Sequence, residues 1–558
     1  MTLLSVRDLR IGFGNTQAVD GLSFDLEAGG ALGIVGESGS GKSATALALL
    51  GLHGEARIEG SIDFDGLELT GASEDQLRAI RGAGIAMVFQ EPLTALSPFH
   101  RVGDQIAEVY RLHTGATRKA ARERAVEVLR QVHIADPERR ARAYPHEFSG
   151  GMRQRALIAM ALACNPRLIV ADEPTTALDV TVQAQILDLL DEVRTATGAA
   201  LLLISHDLGV VAGSTDDVIV MRRGAVVEAG ATDQVLVTPR AAYTKDLLAA
   251  VPKPSPARVI QGGPLLRVSG VSKRFRKFTA VDDVTLDVRE GETLGIVGES
   301  GAGKTTLSRM MVGLIPPDRG SITLAGADIA RRRGRSVQMV FQDPMSSLNP
   351  RRTVGESIAD PLRLIGEPAP RVKIEALLVR VGLAPSHYDS YPHQLSGGMR
   401  QRVGIARALA PSPRLIVCDE PVSSLDVTTQ AQVLALLEDI RLERELTMVF
   451  VTHDLAVLRQ IADRVVVMHD GAVAEVGDVA AVYDQPQHAY TKELLAAIPV
   501  ADPIEARRRR ALRRVELAGA GLSGSGLAGA GLAGTGLAGT GLDGAGLDPE
   551  PLGATQPE

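Results

Sequence analysis

Tryptophan does not occur in these 558 residues, aromatic residues make up 3%, and cysteine appears twice, as Cys164 and Cys418. Two cysteines in or beside apolar runs cannot build a disulfide framework or a four-thiolate cluster. A reducing compartment therefore fits, and both read as core filler. Long apolar runs are also missing: the longest, Ala199 to Ile204, is strand-sized, whereas a membrane helix needs roughly 20 apolar residues. The N-terminus, Met1-Thr2-Leu3-Leu4-Ser5-Val6-Arg7-Asp8, has neither the basic segment nor the apolar stretch of a signal peptide. Any membrane association is expected to come through partners. A net charge of -7 and a pI near 6.0 give no sign of a general nucleic-acid binder.

What is present is ordinary in bulk and repetitive in detail. Hydrophobic content of 45% and charged content of 23% suit soluble globular protein, and the length demands at least two cores. Gly36-Glu37-Ser38-Gly39-Ser40-Gly41-Lys42-Ser43 returns as Gly298-Glu299-Ser300-Gly301-Ala302-Gly303-Lys304-Thr305. Ser149-Gly150-Gly151-Met152-Arg153-Gln154-Arg155 returns as Ser396-Gly397-Gly398-Met399-Arg400-Gln401-Arg402. Asp172 and Asp419, Glu173 and Glu420, His206 and His453, and Tyr243 and Tyr490 all lie 247 apart, while Lys42 and Lys304 lie 262 apart. A register that returns to one constant value implies tandem duplication of a whole domain. The second copy has lost fifteen residues between the loop and the Ser-Gly-Gly turn, where loops and a helical insert are expected.

The repeats set expected boundaries: a first domain over 3–251, a linker over 252–264, a second domain over 265–499 and a terminal segment over 500–558. The linker, with Pro252, Pro254, Pro256 and Pro264, reads as short and semi-rigid. In the terminal segment Arg507 to Arg510, Arg513 and Arg514 form a basic run. Gly-Leu then recurs every five residues from Gly521 to Gly546. So much glycine loses more backbone entropy than its leucines can offset, which predicts a disordered tail. A weak membrane-surface or partner contact is the alternative reading of the arginines. Within each domain, short unalternating runs such as Ala31 to Val35, Leu168 to Ala171 and Leu201 to Ile204 read as strands buried on both faces. Thr293 to Val297, Leu415 to Cys418 and Met448 to Val451 repeat them. Between Gln90 and Ser149, notably Arg118 to Val132, the pattern turns helical.

A strand ending at Val35 followed by Gly36-x-x-x-x-Gly41-Lys42-Ser43 is a phosphate-binding loop in its required context. Its glycines let backbone N–H groups converge on phosphate oxygens at a helix N-terminus. Lys42 and Lys304 are expected to reach the β- and γ-phosphates, and Ser43 and Thr305 to ligate Mg²⁺. A glycine-rich turn that binds nothing is the plainer alternative, but two copies in register weigh against it. The strand Leu168 to Ala171 delivers Asp172 and Glu173 to the sheet's carboxyl edge. Asp172 is placed for Mg²⁺ and Glu173 for polarising the attacking water; Asp419 and Glu420 repeat the pair.

On these motifs the chain resembles ATP-binding cassette (ABC) ATPases, with both nucleotide-binding domains fused, over roughly Leu3 to Pro499. Ser149-Gly150-Gly151 and Ser396-Gly397-Gly398 resemble the family's signature turn, which caps the γ-phosphate held by the opposite domain. Its fifth position is Met152 or Met399 rather than Gln. The resemblance implies two tandem P-loop α/β domains. Each has a mostly parallel sheet core, an N-terminal antiparallel β region and an inserted helical subdomain. It assigns Gln90 and Gln342 to the loop that senses Mg²⁺ or water and faces the transmembrane partner. Asp179 and Asp426 fall in the loop across the dimer seam, and His206 and His453 match the histidine that contacts the γ-phosphate. Phe13 and Phe275 match the aromatic that stacks on adenine, with Phe278 a rival and a plain core role an alternative.

Phe341-Gln342-Asp343-Pro344-Met345-Ser346-Ser347-Leu348-Asn349-Pro350 is similar to the corresponding loop of dipeptide, oligopeptide and nickel importers, and Phe89 to Pro98 is a looser version. Both domains end in a Tyr-Thr-Lys frame similar to that branch's His-Pro-Tyr-Thr segment. Here Ala242 and Ala489 stand in place of the proline. The resemblance implies an ATPase that energises import of peptides, or of nickel or another peptide-like solute, from the cytoplasmic face of a bacterial membrane. Its expected partners are two membrane permeases and an extracytoplasmic binding protein. ATP and Mg²⁺ are the implied cofactors, clamped between the halves as an internal pseudo-dimer. A soluble two-cassette translation factor needs a long charged linker, which Pro252 to Gly263 does not supply.

Overall fold

The computed structural model describes residues 1–519 apart from 177, 255–257, 259, 277, 330–334, 344–346 and 424. The Gly-Leu repeats, part of the linker, Ala177, Ser424 and Pro344 to Ser346 therefore lie outside the described residues.

Two sheets form each half. In the first, an antiparallel sheet runs Thr16–Glu27, Thr2–Phe13, Arg57–Phe64, Leu67–Glu68 in spatial order. Beside it lies a six-stranded sheet ordered Ala225–Ala231, Asp217–Arg222, Ala31–Gly36, Ala200–Ser205, Leu168–Asp172, Ile85–Val88. All its pairings are parallel except the edge strand Ala225–Ala231. The three central strands are buried at every residue, which is why their sequences do not alternate. Leu4, Leu9, Ile11, Ile34, Ile62 and Leu49 fill the layer between the sheets. The second half repeats this plan, with Thr293–Val297 between Thr447–Val451 and Arg464–His469.

The helical insert is present in both halves, as Val102–Thr114 with Arg118–Gln131 and as Val354–Leu364 with Arg371–Arg380. Part of the fifteen-residue deletion is visible here: the helices have 13 and 14 residues in the first half but 11 and 10 in the second.

The basic run departs from expectation. Pro503–Gly519 is a helix that leaves the second half and seats on the first. Arg510 bonds Asp188 at 2.5 Å, the Leu187 carbonyl at 2.5 Å and the Gly213 carbonyl at 2.9 Å. Arg507 pairs with Asp233 and Arg514 with Asp191. Ala506, Arg510 and Arg513 share one face at helical spacing, and that face is covered by residues some 300 positions earlier. A cluster of like charges reads as solvated until its acidic partners are known.

Other contacts join the halves. Val180 and Ala184 of the first pack into the core that contains Tyr490 and Leu494 of the second. A Cβ added to Gly209 would come within 2.8 Å of Pro499 Cβ.

Because Arg510 is nearly buried, Arg510→Ala should leave two carbonyls unpaired and, among the described residues, Asp188 with only Arg513 at 3.7 Å, and lower stability by about 3 kcal/mol. Chemical denaturation checks this. Asp188→Ala on top of it should add little, since the two side chains act as one unit.

Candidate nucleotide site

Each phosphate-binding loop follows the central strand of its sheet and feeds a helix, Lys42–Leu49 or Lys304–Met311. Gly41 (φ 101°) and Gly303 (φ 95°) adopt left-handed backbone at the helix entrance. A Cβ there would sit 2.3 Å from the Ala18 carbonyl oxygen or 2.1 Å from that of Ala280. Only glycine fits. The loop tips Ser38–Gly39 and Ser300–Gly301 are exposed, whereas both lysines are buried.

The lysine ammoniums turn back on their own loops. Lys42 Nζ donates to the carbonyls of Gly36 (2.8 Å) and Glu37 (2.9 Å); Lys304 Nζ donates to those of Gly298 (2.7 Å) and Glu299 (2.8 Å). Burial pulls both below the ordinary lysine pKa, opposed by nearby carboxylates. These are Glu173, Asp172 and Asp426 for Lys42, and Glu420, Asp179 and Asp419 for Lys304. Asp426 belongs to the half opposite Lys42, and Asp179 to the half opposite Lys304. An exposed loop around a buried cation is a cradle for an anionic ligand.

Next to the lysine, Ser43 Oγ donates to Asp172 Oδ1 at 3.1 Å and Thr305 Oγ1 to Asp419 Oδ1 at 3.3 Å. Burial pushes Asp172 up, and Asp419 up to about 6. Among the described residues no cluster of three or more His, Cys, Asp or Glu could hold a metal by itself. One hydroxyl and one carboxylate suit a hard ion that takes its remaining ligands from phosphates and water, as Mg²⁺ does.

Glu173 and Glu420, one residue further, carry φ of 47° and 46°. Left-handed backbone is uncommon for glutamate and concentrates at functional positions. Their amides stay paired, to the Ile204 and Val451 carbonyls of the neighbouring strand. Glu173 Oε2 accepts from Gln90 Nε2 (3.0 Å) and Thr176 Oγ1 (2.9 Å) and lies 3.2 Å from His206 Nδ1. Glu420 Oε2 accepts from Gln342 Nε2 (2.9 Å) and lies 3.3 Å from His453 Nδ1. Burial pushes both carboxyls up, but the histidine's hydrogen bond and charge outweigh it and leave them below their ordinary range. Burial likewise lowers the histidines, and the glutamates reverse that and leave them raised. Each half thus holds a carboxylate acceptor for a water proton beside a histidine donor.

Ser149 and Ser396 cap the helices Gly150–Leu162 and Gly397–Leu409, accepting the Met152 and Met399 amides at 3.3 Å. Both serines and the first glycine of each turn are exposed. The second glycine has a different reason to be there: a Cβ on Gly151 or Gly398 would meet Val182 or Thr429 at 2.6 Å. Asp179 and Asp426 cap the helices Val180–Thr197 and Val427–Arg444. From the first of these, Thr181 Oγ1 donates across the seam to Glu299 Oε1 at 2.6 Å. Phe13 and Phe275 stand 45% exposed at strand ends, open to a planar ligand.

Residue patterns alone missed Thr176 and Ser423, which touch the glutamates from three positions downstream, and the Thr181–Glu299 bond. The hydroxyl at one spacing in both copies was the available signal for the first pair. The second crosses 118 residues and had none.

Comparison with known proteins identifies the family. The family model "ABC transporter" matches residues 19–176 and 281–423, and "Oligopeptide/dipeptide transporter, C-terminal region" matches 227–273 and 474–521. The chain is 43% identical over 574 residues to the glutathione import ATP-binding protein GsiA of Escherichia coli O6:H1, covering 91% of this chain and 92% of that one. It is 44% identical over 535 residues to the peptidoglycan transport ATP-binding protein YejF of Agrobacterium fabrum, covering 90% and 98%. A solved bacterial ABC transporter cassette, MJ0796, is 30% identical over 38% of this chain and 98% of that one, with a TM-score of 0.36.

The chain belongs to the ABC transporter family, as a two-domain ABC-type ATPase. Within it, both halves carry the C-terminal region of the oligopeptide/dipeptide branch. Among the described residues no helix is long and apolar enough to cross a membrane.

Gly41→Ala or Gly303→Ala should each weaken ATP binding at least tenfold, because the loop must move off a carbonyl oxygen to admit the methyl group. Equilibrium binding of a fluorescent ATP analogue checks this, and unchanged affinity in both variants contradicts it.

Proposed function

We propose that the chain is the energy-coupling subunit of a bacterial importer of short peptides or peptide-like solutes. It works at the cytoplasmic face of the membrane with two permease subunits and an extracytoplasmic binding protein. The presence of the oligopeptide/dipeptide region in both halves and the import named for the GsiA relatives support this cargo class.

In this reading Lys42 and Lys304 leave their loop carbonyls for triphosphate oxygens. Loop amides, Glu37 to Ser43 and Glu299 to Thr305, line the phosphates, and Phe13 and Phe275 stack on the base. Ser43 with Asp172, and Thr305 with Asp419, hold Mg²⁺, with Gln90 and Gln342 beside them; the ion screens phosphate charge when bound. Glu173 and Glu420 take the proton of the attacking water, while His206 and His453 donate toward the γ-phosphate. Ser396, Gly397 and Gly398 cap the triphosphate on Lys42, and Ser149, Gly150 and Gly151 the one on Lys304. The reach of Asp426 to Lys42 and of Asp179 to Lys304 supports this pairing. Charge-assisted hydrogen bonds of roughly 1.5–3 kcal/mol each draw the seam shut, and loss of the γ-phosphate releases it.

The observation that carries the proposal is the near-identical glutamine–glutamate–histidine cluster in both halves, with distances matching within 0.1 Å. Two intact clusters mean two competent sites. Glu173→Gln and Glu420→Gln should each lower ATP turnover at least twofold, and together about 100-fold or more. Full turnover in either single variant would remove that glutamate from the chemistry.

A further inference from the structure

The Tyr-Thr-Lys frame near the end of each half has no part in the mechanism above, yet it ends at the phosphate-binding loop. The Glu299 amide donates to the Tyr490 hydroxyl at 2.9 Å. Glu299 is therefore held on both sides: its carbonyl receives Lys304 Nζ at 2.8 Å while its amide is tied to Tyr490.

The tyrosine is itself firmly set. The Glu475 carboxylate, on the edge strand Ala472–Asp478, accepts the amides of Gln487 (2.9 Å) and His488 (3.0 Å) and so anchors the start of the helix Ala489–Ala497. The Tyr490 ring is 7% exposed and packs on His469, centroids 4.0 Å apart. The same helix meets the first half's helix Val180–Thr197, whose Thr181 bonds the Glu299 side chain.

The first half has the same frame. Glu228 accepts the amides of Arg240 (2.8 Å) and Ala241 (3.1 Å), and the Arg222 guanidinium lies 4.6 Å above the Tyr243 ring. Tyr243 faces the Glu37 backbone but its hydroxyl closes no hydrogen bond of good geometry. The same framework therefore brings a tyrosine to each loop and closes the hydrogen bond fully at Glu299.

We propose that Tyr490 is a positioning residue for nucleotide binding at the second site. Its hydroxyl keeps the Glu299 peptide in place when Lys304 gives up the loop carbonyls for phosphate, so that the cradle does not relax as ligand enters. The C-terminal region of the second half thereby acts on the affinity of its loop rather than on the hydrolytic step, which lies with Glu420 and His453. This rests on reading the Lys304 loop as an ATP-binding loop.

Tyr490→Phe in the full-length, otherwise unaltered chain tests it, with Tyr243→Phe as the internal comparison. Losing one hydrogen bond to a part-buried amide should raise KM for Mg-ATP about fivefold while kcat changes less than about twofold. Tyr243→Phe should leave both within about twofold. In the nucleotide-free protein, hydrogen exchange of the Glu299 peptide should quicken several-fold in Tyr490→Phe. An unchanged KM with unchanged exchange overturns the proposal, as does a fall in kcat at constant KM. A parent protein without ATPase activity would instead overturn the ATP reading. The exchange rate at Glu299 would still judge Tyr490, because it needs no turnover.

Discussion

A buried ammonium whose hydrogen bonds go to neutral carbonyls is costly, and each half is built around one. Lys42 and Lys304 are each 5% exposed and fold onto their own loops. Such a site is stable in the presence of an anion and incomplete without one. The surrounding features follow from that requirement. Glycines at φ near 100° bring amides inward, and a parallel sheet delivers an aspartate and a strained glutamate to the same edge. Carboxylates from both halves converge on the charge.

The seam between the halves is the second consequence. Asp179 and Asp426 each cap a helix in one half and lie close enough to the lysine of the other to favour its charged form. The contacts across the seam are not symmetric. Thr181 reaches Glu299, the C-terminal helix Pro503–Gly519 carries Arg510 onto the first half while Arg513 bonds the Ala496 carbonyl of the second, and Tyr490 closes a hydrogen bond to its loop. Arg510 bonds Asp188, midway along the helix that follows Asp179, and the Gly213 carbonyl at the end of the helix that follows His206. A duplicated gene has thus given two chemically matched centres with different supports.

Much of this was legible from residues. Doubly buried strands announced themselves as unalternating apolar runs, and the P-loops, acidic pairs and histidines recurred as local motifs because local backbone chemistry fixes them. The insert helices were visible from Arg118 to Val132. Long-range partners were not legible. Nothing around Arg510 names Asp188, and nothing in Tyr-Thr-Lys points to Glu299, since each contact joins elements brought together by the tertiary fold. The second glycine of each Ser-Gly-Gly turn reads as a ligand contact, and packing against Val182 and Thr429 adds a constraint that the sequence did not display.

The most direct test is a structure of the Glu173→Gln, Glu420→Gln double variant with Mg-ATP. Two triphosphates are expected per chain, the one on Lys42 with Ser396 Oγ within about 3 Å of its γ-phosphate and the one on Lys304 with Ser149 Oγ equally close. Triphosphates on both loops with those serines turned to bulk solvent would contradict the account.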